Sequence, residues 1–200
     1  MELVIQPVSA DNLNDWLAFF DAEAFSDNPE WSGCYCGYYF EADDPSWFAT
    51  TKEQNRESAI RNITSGRMTG YLAYAVGTPV GWVLAGDRLG FPRLCVESGY
   101  VEAGTRRDPS DPASGPIGRG KAIVCFMIHP KHRGKGIATA LMERVVADAA
   151  GEGYAYVEAS PFRHATSCAT HYHGPAVMYE KAGFQKVLTL SEVEVWRKYL

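Results

Sequence analysis

The run Arg133-Gly134-Lys135-Gly136-Ile137-Ala138 combines the residue types that a phosphate binder needs. Glycines let the main chain come close to a ligand, and Arg133 and Lys135 supply positive charge. An apolar helical pattern begins at Ile137, and the first N–H groups of a helix have no partner within it. Chemistry at this point would therefore involve an anionic, phosphate-bearing ligand. Two other readings of the run are available. Gly134-x-Gly136-x-x-Thr139, followed roughly twenty residues on by Glu158, approaches a dinucleotide fingerprint. It lacks the third glycine, stands five residues beyond the preceding strand, and leaves too little chain to complete that fold. The plainer alternative is a solvated basic loop before a surface helix.

The elements around the run must place it at the end of a strand. Residues 122–128 are nearly all apolar, which fits a strand buried on both faces. His129-Pro130 ends it, since proline cannot continue a ladder. Ile137, Leu141 and Val145, flanked by Met142, Val146 and Ala149, form a wide helical stripe that stops at Gly151 and Gly153. A strand follows over residues 154–159. Pro175 then opens a helix that Gly183 closes, and two strands, 184–190 and 194–198, end the chain.

Upstream, a strand is predicted over residues 2–7. A helix begins at Asp11 or Asn12 and carries Leu13, Trp16, Leu17 and Phe20. Residues 25–45 read as a shaped loop, and 51–65 as a second helix. Strands 71–76 and 80–85 form an antiparallel hairpin around Gly77-Thr78-Pro79. Residues 88–120 are rich in Gly, Pro, Ser and Asp, with one short extended piece near Leu94–Val96 and a flexible tract at 108–116. The order β-α-α-β-β-β-α-β-α-β-β is that of a mixed α/β or α+β domain with one right-handed βαβ crossover.

The 200 residues, 46% hydrophobic and 22% charged, suffice for one domain over residues 1–200 with its own core. A net charge of −5 argues against non-specific nucleic-acid binding, so the basic loop is a local feature. No apolar run approaches the ~20 residues that span a bilayer, and no secretory signal pattern opens the chain. The five cysteines are odd in number and too few for a disulfide scaffold of this length. A reduced, cytoplasmic protein without membrane contact is expected.

A second motif, Tyr179-Glu180-Lys181-Ala182-Gly183-Phe184, lies about forty residues after the first. Together, Arg-x-x-Gly-x-Ala at 133–138 and Tyr-Glu-Lys-x-Gly-Phe at 179–184 resemble the GCN5-related N-acetyltransferase (GNAT) superfamily. The likeness is specific over residues 122–190 and rests on element order alone in the N-terminal half. It implies a GNAT-like fold, with a mixed, mostly antiparallel twisted sheet flanked by helices and a central βαβ unit that binds acyl-CoA. It further implies acetyl transfer from acetyl-CoA to a primary amine of a small molecule or peptide. A non-catalytic acyl-CoA-binding module on the same fold is the alternative.

Carried over by residue, the resemblance places the pantetheine arm along Phe126, Met127 and Ile128, one of whose N–H groups meets the thioester oxygen. It places the pyrophosphate on the amides of Arg133, Gly134, Lys135, Gly136, Ile137, Ala138 and Thr139. Tyr179 takes the position of the acid that protonates the departing thiolate, and a packing tyrosine is the competing role. Glu97 and Glu158 are candidate bases, beside deprotonation through water. The family often has an asparagine about seven residues before the tyrosine. This chain has Tyr172 there, and His171 or His173 is a candidate replacement. A homodimer is compatible with this reading.

Residues 31–40 hold five aromatics and a Cys34-x-Cys36 pair. A lone C-x-C is a weak metal signal, and no metal is expected. Trp31, Tyr35 and Tyr38 are candidate walls of an acceptor pocket, with cation–π attraction as the force. A small core beneath the loop is the alternative.

Overall fold

The computed structural model describes residues 2–42, 44–105 and 118–200. The predicted tract at 108–116 falls outside them. The strands are β1 (Val4–Pro7), β2 (Gly70–Ala75), β3 (Thr78–Asp87), β4 (Gly120–Ile128), β5 (Tyr156–Ala159), β6 (Gln185–Thr189) and β7 (Glu194–Tyr199). They form one sheet in the order β1-β2-β3-β4-β5-β7-β6. Only β4 and β5 run parallel; every other neighbouring pair is antiparallel. This is the mixed, mostly antiparallel arrangement that the sequence predicts.

The β2–β3 hairpin turns on Val76 and Gly77, whose φ values are +51° and +75°. A type I′ hairpin turn has positive φ at both central residues, so Val76 belongs to the turn and β2 stops at Ala75, while β3 begins at Thr78, two residues earlier than expected. The first helical stretch is broken in kind. Ser9 caps a 3-10 turn at Ala10–Asn12, α1 (Leu13–Ala18) follows, and a π-helical turn spans Phe19–Glu23. That last turn swings Phe19 and Phe20 into the core with Trp16. A short helix, α2 (Asp44–Phe48), precedes α3 (Lys52–Thr64), which begins with a capping box between Thr51 and Gln54.

The extended piece expected at Leu94–Val96 is instead helical. It forms α4 (Pro92–Val96), followed by α5 (Ser98–Thr105). Pro92 stands at the first helical position, where its missing N–H costs nothing. The rest of the cause is tertiary: buried Arg88 donates to the carbonyls of Leu94 and Tyr100, one in each helix. Composition alone reads residues 88–120 as loop because the carboxylate that fixes Arg88, Glu158, lies outside that stretch.

Two apolar cores lie on opposite faces of the sheet. One joins Trp16, Phe20, Tyr35 and Tyr39 to Trp82 and Val124. The other joins α6 (Ile137–Gly151) and α7 (Ala176–Lys181) to Ile123, Phe126 and Val157. Ile137, Leu141, Met142, Val145 and Ala149 are the buried stripe of α6. Gly81 lets that helix sit close, because a methyl there would lie 2.8 Å from Ile137 Cγ2.

The β3–β4 ladder slips by one residue at Val124. Leu84 pairs with Cys125 and Ala85 with Ile123. Such a bulge reverses which side chains face which side beyond it. Ala122 and Val124 face the first core, and past the bulge Cys125 and Met127 face that same side. Ile123 and Phe126 face α6.

Candidate active site

Of the nine residues of β4, only Gly120–Ile123 pair with β5. Beyond them β4 runs on without β5, so a notch opens in the sheet. His129 N–H bonds to Val80 across the other edge, which makes residues 127 and 125 the hydrogen-bonded partners of β3. The main-chain groups of Phe126 and Ile128 therefore point into the notch. Phe126 N–H reaches the Tyr172 carbonyl at 2.6 Å. The Ile128 carbonyl accepts from Arg133 Nε at 3.1 Å.

The notch leads to the loop before α6. Pro130–His132 form a 3-10 turn, and Lys135 Nζ curls back onto the Lys131 carbonyl at 2.8 Å. Arg133 grips Asp27 through both terminal guanidinium nitrogens. That contact holds the Asp27 carboxyl below its ordinary range. Gly134 and Gly136 have φ values of +72° and +81°, and a methyl on either would meet nothing within 4 Å. Gly136 is the N-cap of α6, and no side chain caps it. The first helical bond is donated by Ala140, so the amides of Ile137, Ala138 and Thr139 precede it. A bare, open helix N-terminus of this kind fits a diphosphate.

A cavity of about 810 Å³ lies on the first-core side of β4. Cys125, Met127 and Arg133 form its β4 side, Trp31, Tyr38 and Trp47 line it from the N-terminal segment, and Cys168 and Tyr172 line it from the segment after β5. Trp31 meets Tyr172 edge-on with centroids 5.9 Å apart, and Tyr38 meets Trp47 in the same way. Trp31 and Tyr38 thus share the cavity, while Tyr35 does not line it. Tyr35 is fully buried against Trp16 and Phe20, and its hydroxyl donates to Asp21 at 2.7 Å. Cys36 Sγ approaches Cys125 Sγ at 3.7 Å, and all five cysteines are free thiols. Burial pushes the Cys34 thiol up to about 12.

Tyr179 is fully buried at the start of the notch, edge-on to Phe184, and its hydroxyl donates to the His173 carbonyl at 2.5 Å. Burial raises its phenol well above the ordinary range. The two candidate bases lie elsewhere. Glu158 is buried in an ion triad, 3.1 Å from Arg88 Nε and 2.5 Å from Arg197 Nη2. Both of its oxygens are therefore committed to guanidinium groups. Glu97 ends α4 on the surface and lies 3.5 Å from Arg93.

His173 is the residue whose centrality the sequence conceals. Its Nδ1 meets the Ser160 carbonyl at 2.5 Å, so that nitrogen carries the proton. Nε2 therefore accepts from the Tyr39 hydroxyl at 2.5 Å. The ring stacks on Phe162 with centroids 4.7 Å apart. Burial lowers its pKa to about 4, so the ring stays neutral. The sequence offers His173 only beside His171, as a candidate replacement for the family's asparagine, and does not mark its bond to Tyr39; Asp27 is unmarked in the sequence.

Among the described residues, no group of three or more His, Cys, Asp or Glu could hold a metal ion. No described helix is long and apolar enough to cross a membrane. The family profile described as "Acetyltransferase (GNAT) domain" matches residues 69–186. No protein of curated function matches the chain in sequence. Among solved structures, a polyamine N-acetyltransferase from Drosophila melanogaster is similar over 100% of both chains, at 17% identity and a TM-score of 0.56. A PaiA N-acetyltransferase from Thermoplasma acidophilum, in complex with coenzyme A, is similar over 100% of both chains at 14% identity and a TM-score of 0.53. An N-acetyltransferase from Staphylococcus aureus Mu50 covers 100% of this chain and 99% of its own, at 15% identity and a TM-score of 0.54.

Proposed function

The chain belongs to the GNAT acetyltransferase family, and on that premise we propose that residues 1–200 act as one domain moving an acetyl group from acetyl-CoA to a primary amine. The observation that carries this reading is the continuity of three features. The uncapped α6 N-terminus, the unpaired edge of β4 and the 810 Å³ cavity adjoin one another through Arg133 and Ile128. The first suits a diphosphate, the second an amide-bearing arm, and the third an amine of small-molecule or peptide-terminus size.

Acetyl-CoA supplies an activated acyl group as a thioester. The amides from Arg133 to Thr139 hold its diphosphate, and the main-chain groups of Phe126 and Ile128 that face the notch pair with the arm, while those of Met127, between them, are turned to β3. Phe126 N–H serves as donor to the thioester oxygen as charge builds there, a kind of contact worth about 3–4 kcal/mol in other enzymes. The amine nitrogen bonds to the acyl carbon as the carbon–sulfur bond breaks, and the Tyr179 hydroxyl gives its proton to the thiolate. Glu158 is bound on both oxygens, and Glu97 is paired with Arg93 and does not line the cavity, so the amine's proton passes to water in this scheme. Trp31 and Tyr38 shape the acceptor site with Trp47, which the sequence reading omits.

Thermal unfolding with acetyl-CoA, followed by acetylation of an amine library, tests the proposal. Acetyl-CoA is expected to raise Tm by mass action, and Gly136→Glu, which places bulk and negative charge at the anion site, is expected to abolish that rise. No Tm shift in the wild-type chain, or an equal shift in the variant, contradicts the reading. The non-catalytic module draws on one observation: in this structure both proposed donors, Phe126 N–H and Tyr179 O–H, already have acceptors. Binding without turnover across the library would favour it.

A further inference from the structure

The two acceptors are consecutive. The Tyr172 carbonyl takes Phe126 N–H at 2.6 Å, and the His173 carbonyl takes Tyr179 O–H at 2.5 Å. These are the donor for the thioester oxygen and the donor for the thiolate in the reading above. A single short piece of chain thus caps both groups that acyl transfer uses.

That piece is held from its far side. His173 donates through Nδ1 to Ser160 and accepts through Nε2 from Tyr39, which comes from the segment walling the cavity. Gly174 makes the close approach possible. Its φ is +79°, and a methyl there would sit 2.8 Å from Met178 Cε and 3.0 Å from the Tyr179 hydroxyl. Tyr172 also meets Trp31 across the cavity. The strap therefore touches the cofactor edge, the candidate acid and the acceptor wall at once.

We propose that Tyr39 and His173 are positioning residues, which hold the Tyr172 and His173 carbonyls over the two donors until acetyl-CoA displaces both together. This inference rests on the acetyl-transfer reading. Its physical content is competition. A cofactor that must displace a strap binds with an affinity reduced by the fraction of molecules already open. Weakening the strap from the Tyr39 side raises that fraction, so Tyr39→Phe strengthens acetyl-CoA binding. One hydrogen bond of ordinary net worth corresponds to an affinity gain of about five-fold. An ordinary packing role for Tyr39 predicts no gain.

The test follows the wild-type chain, labelled at its carbonyl carbons, by NMR during titration with acetyl-CoA. The Gly134 and Gly136 amides report the diphosphate site, and the Tyr172 and His173 carbonyls report the strap. The expected result is that all four resonances move with one midpoint. Movement of the glycine amides while the two carbonyls stay in place overturns the strap proposal and leaves the acetyl-CoA reading standing. No movement at the glycines removes that reading and this inference with it. In the Tyr39→Phe chain, the expected changes are a KM for acetyl-CoA lower by about five-fold and faster exchange of the Phe126 amide without ligand. A raised KM in a folded variant contradicts the proposal.

Discussion

Tyr179 has one proton and, in this structure, one acceptor for it, the His173 carbonyl. Replacing it with phenylalanine keeps the ring against Phe184 and removes the hydroxyl, together with its bond to the His173 carbonyl. If it serves as the acid, kcat falls about 100-fold, while acetyl-CoA affinity does not fall and, with one strap contact removed, is expected to rise. Steady-state kinetics beside a binding titration reads the two apart, and unaltered turnover removes Tyr179 from the chemistry. His173 carries a pH consequence. Its pKa is lowered to about 4 by burial, against an ordinary value of 6.5. Between those values the unfolded chain binds a proton that the folded chain refuses. Stability from this group is thus full above the upper value and lost as pH falls toward the lower, by on the order of 3 kcal/mol. Urea unfolding across that window is expected to show the loss, and His173→Phe is expected to flatten it. Sequence reading separates such residues poorly. Tyr35 and Tyr38 look alike in an aromatic run, but Tyr35 and Cys36 both have positive φ, +43° and +56°. Two left-handed residues in succession defeat any periodicity argument, and they turn Tyr35 into the core while Tyr38 lines the cavity.

At the scale of elements, the strand–loop–helix order of the unit from Gly120 to Gly151 was legible, although the strand starts two residues before the expected 122 and its bulge at Val124 was not legible. An unbroken apolar run, a proline stop, paired glycines and a four-residue apolar repeat each act locally. Helices α4 and α5 were not legible, because Arg88 is held under them by a carboxylate, Glu158, that is remote in sequence, and Arg197 reaches them from the end of the chain. Arg88 leaves the end of β3, Arg197 comes from β7, and Glu158 on β5 joins the two. Arg197 Nη2 also donates to the Ala103 carbonyl at 2.8 Å. The triad therefore fastens both helices to the sheet. Removing its carboxylate leaves two buried cations facing each other, so Glu158→Ala is expected to lower unfolding free energy by about 3–5 kcal/mol. Chemical denaturation measures this directly. A loss under 1 kcal/mol would mean the triad is dispensable.

Across the whole molecule, β4 is shared by everything the proposed reaction needs. One face of it borders the cavity, its free edge borders the notch, and its end leads into the glycine loop. Element order and the two motifs point to this arrangement from sequence. The occupant of the notch is another matter: the Tyr172 contact depends on main-chain groups, which every residue carries, so no side-chain pattern announces it. Cross-talk between the two substrates follows from the geometry, because Trp31 in the cavity wall touches the strap that lies on the cofactor edge.

The extra residue at Val124 has a consequence of its own. Because side chains alternate along a strand, what lies beyond that point is governed by a count, not by the identity of any one amino acid. Excising Val124 would leave Ile123 opposite Ala85 and Cys125 opposite Leu84, so the ladder would close without its bulge and the last four positions of β4 would keep the faces they now have. Conservative exchanges at this position are expected to keep Tm near its starting value, whereas the one-codon deletion is expected to lower it while the chain still melts cooperatively, because it removes the buried Val124 side chain along with the bulge. Circular dichroism melts of Val124→Ile beside the deletion would show the difference.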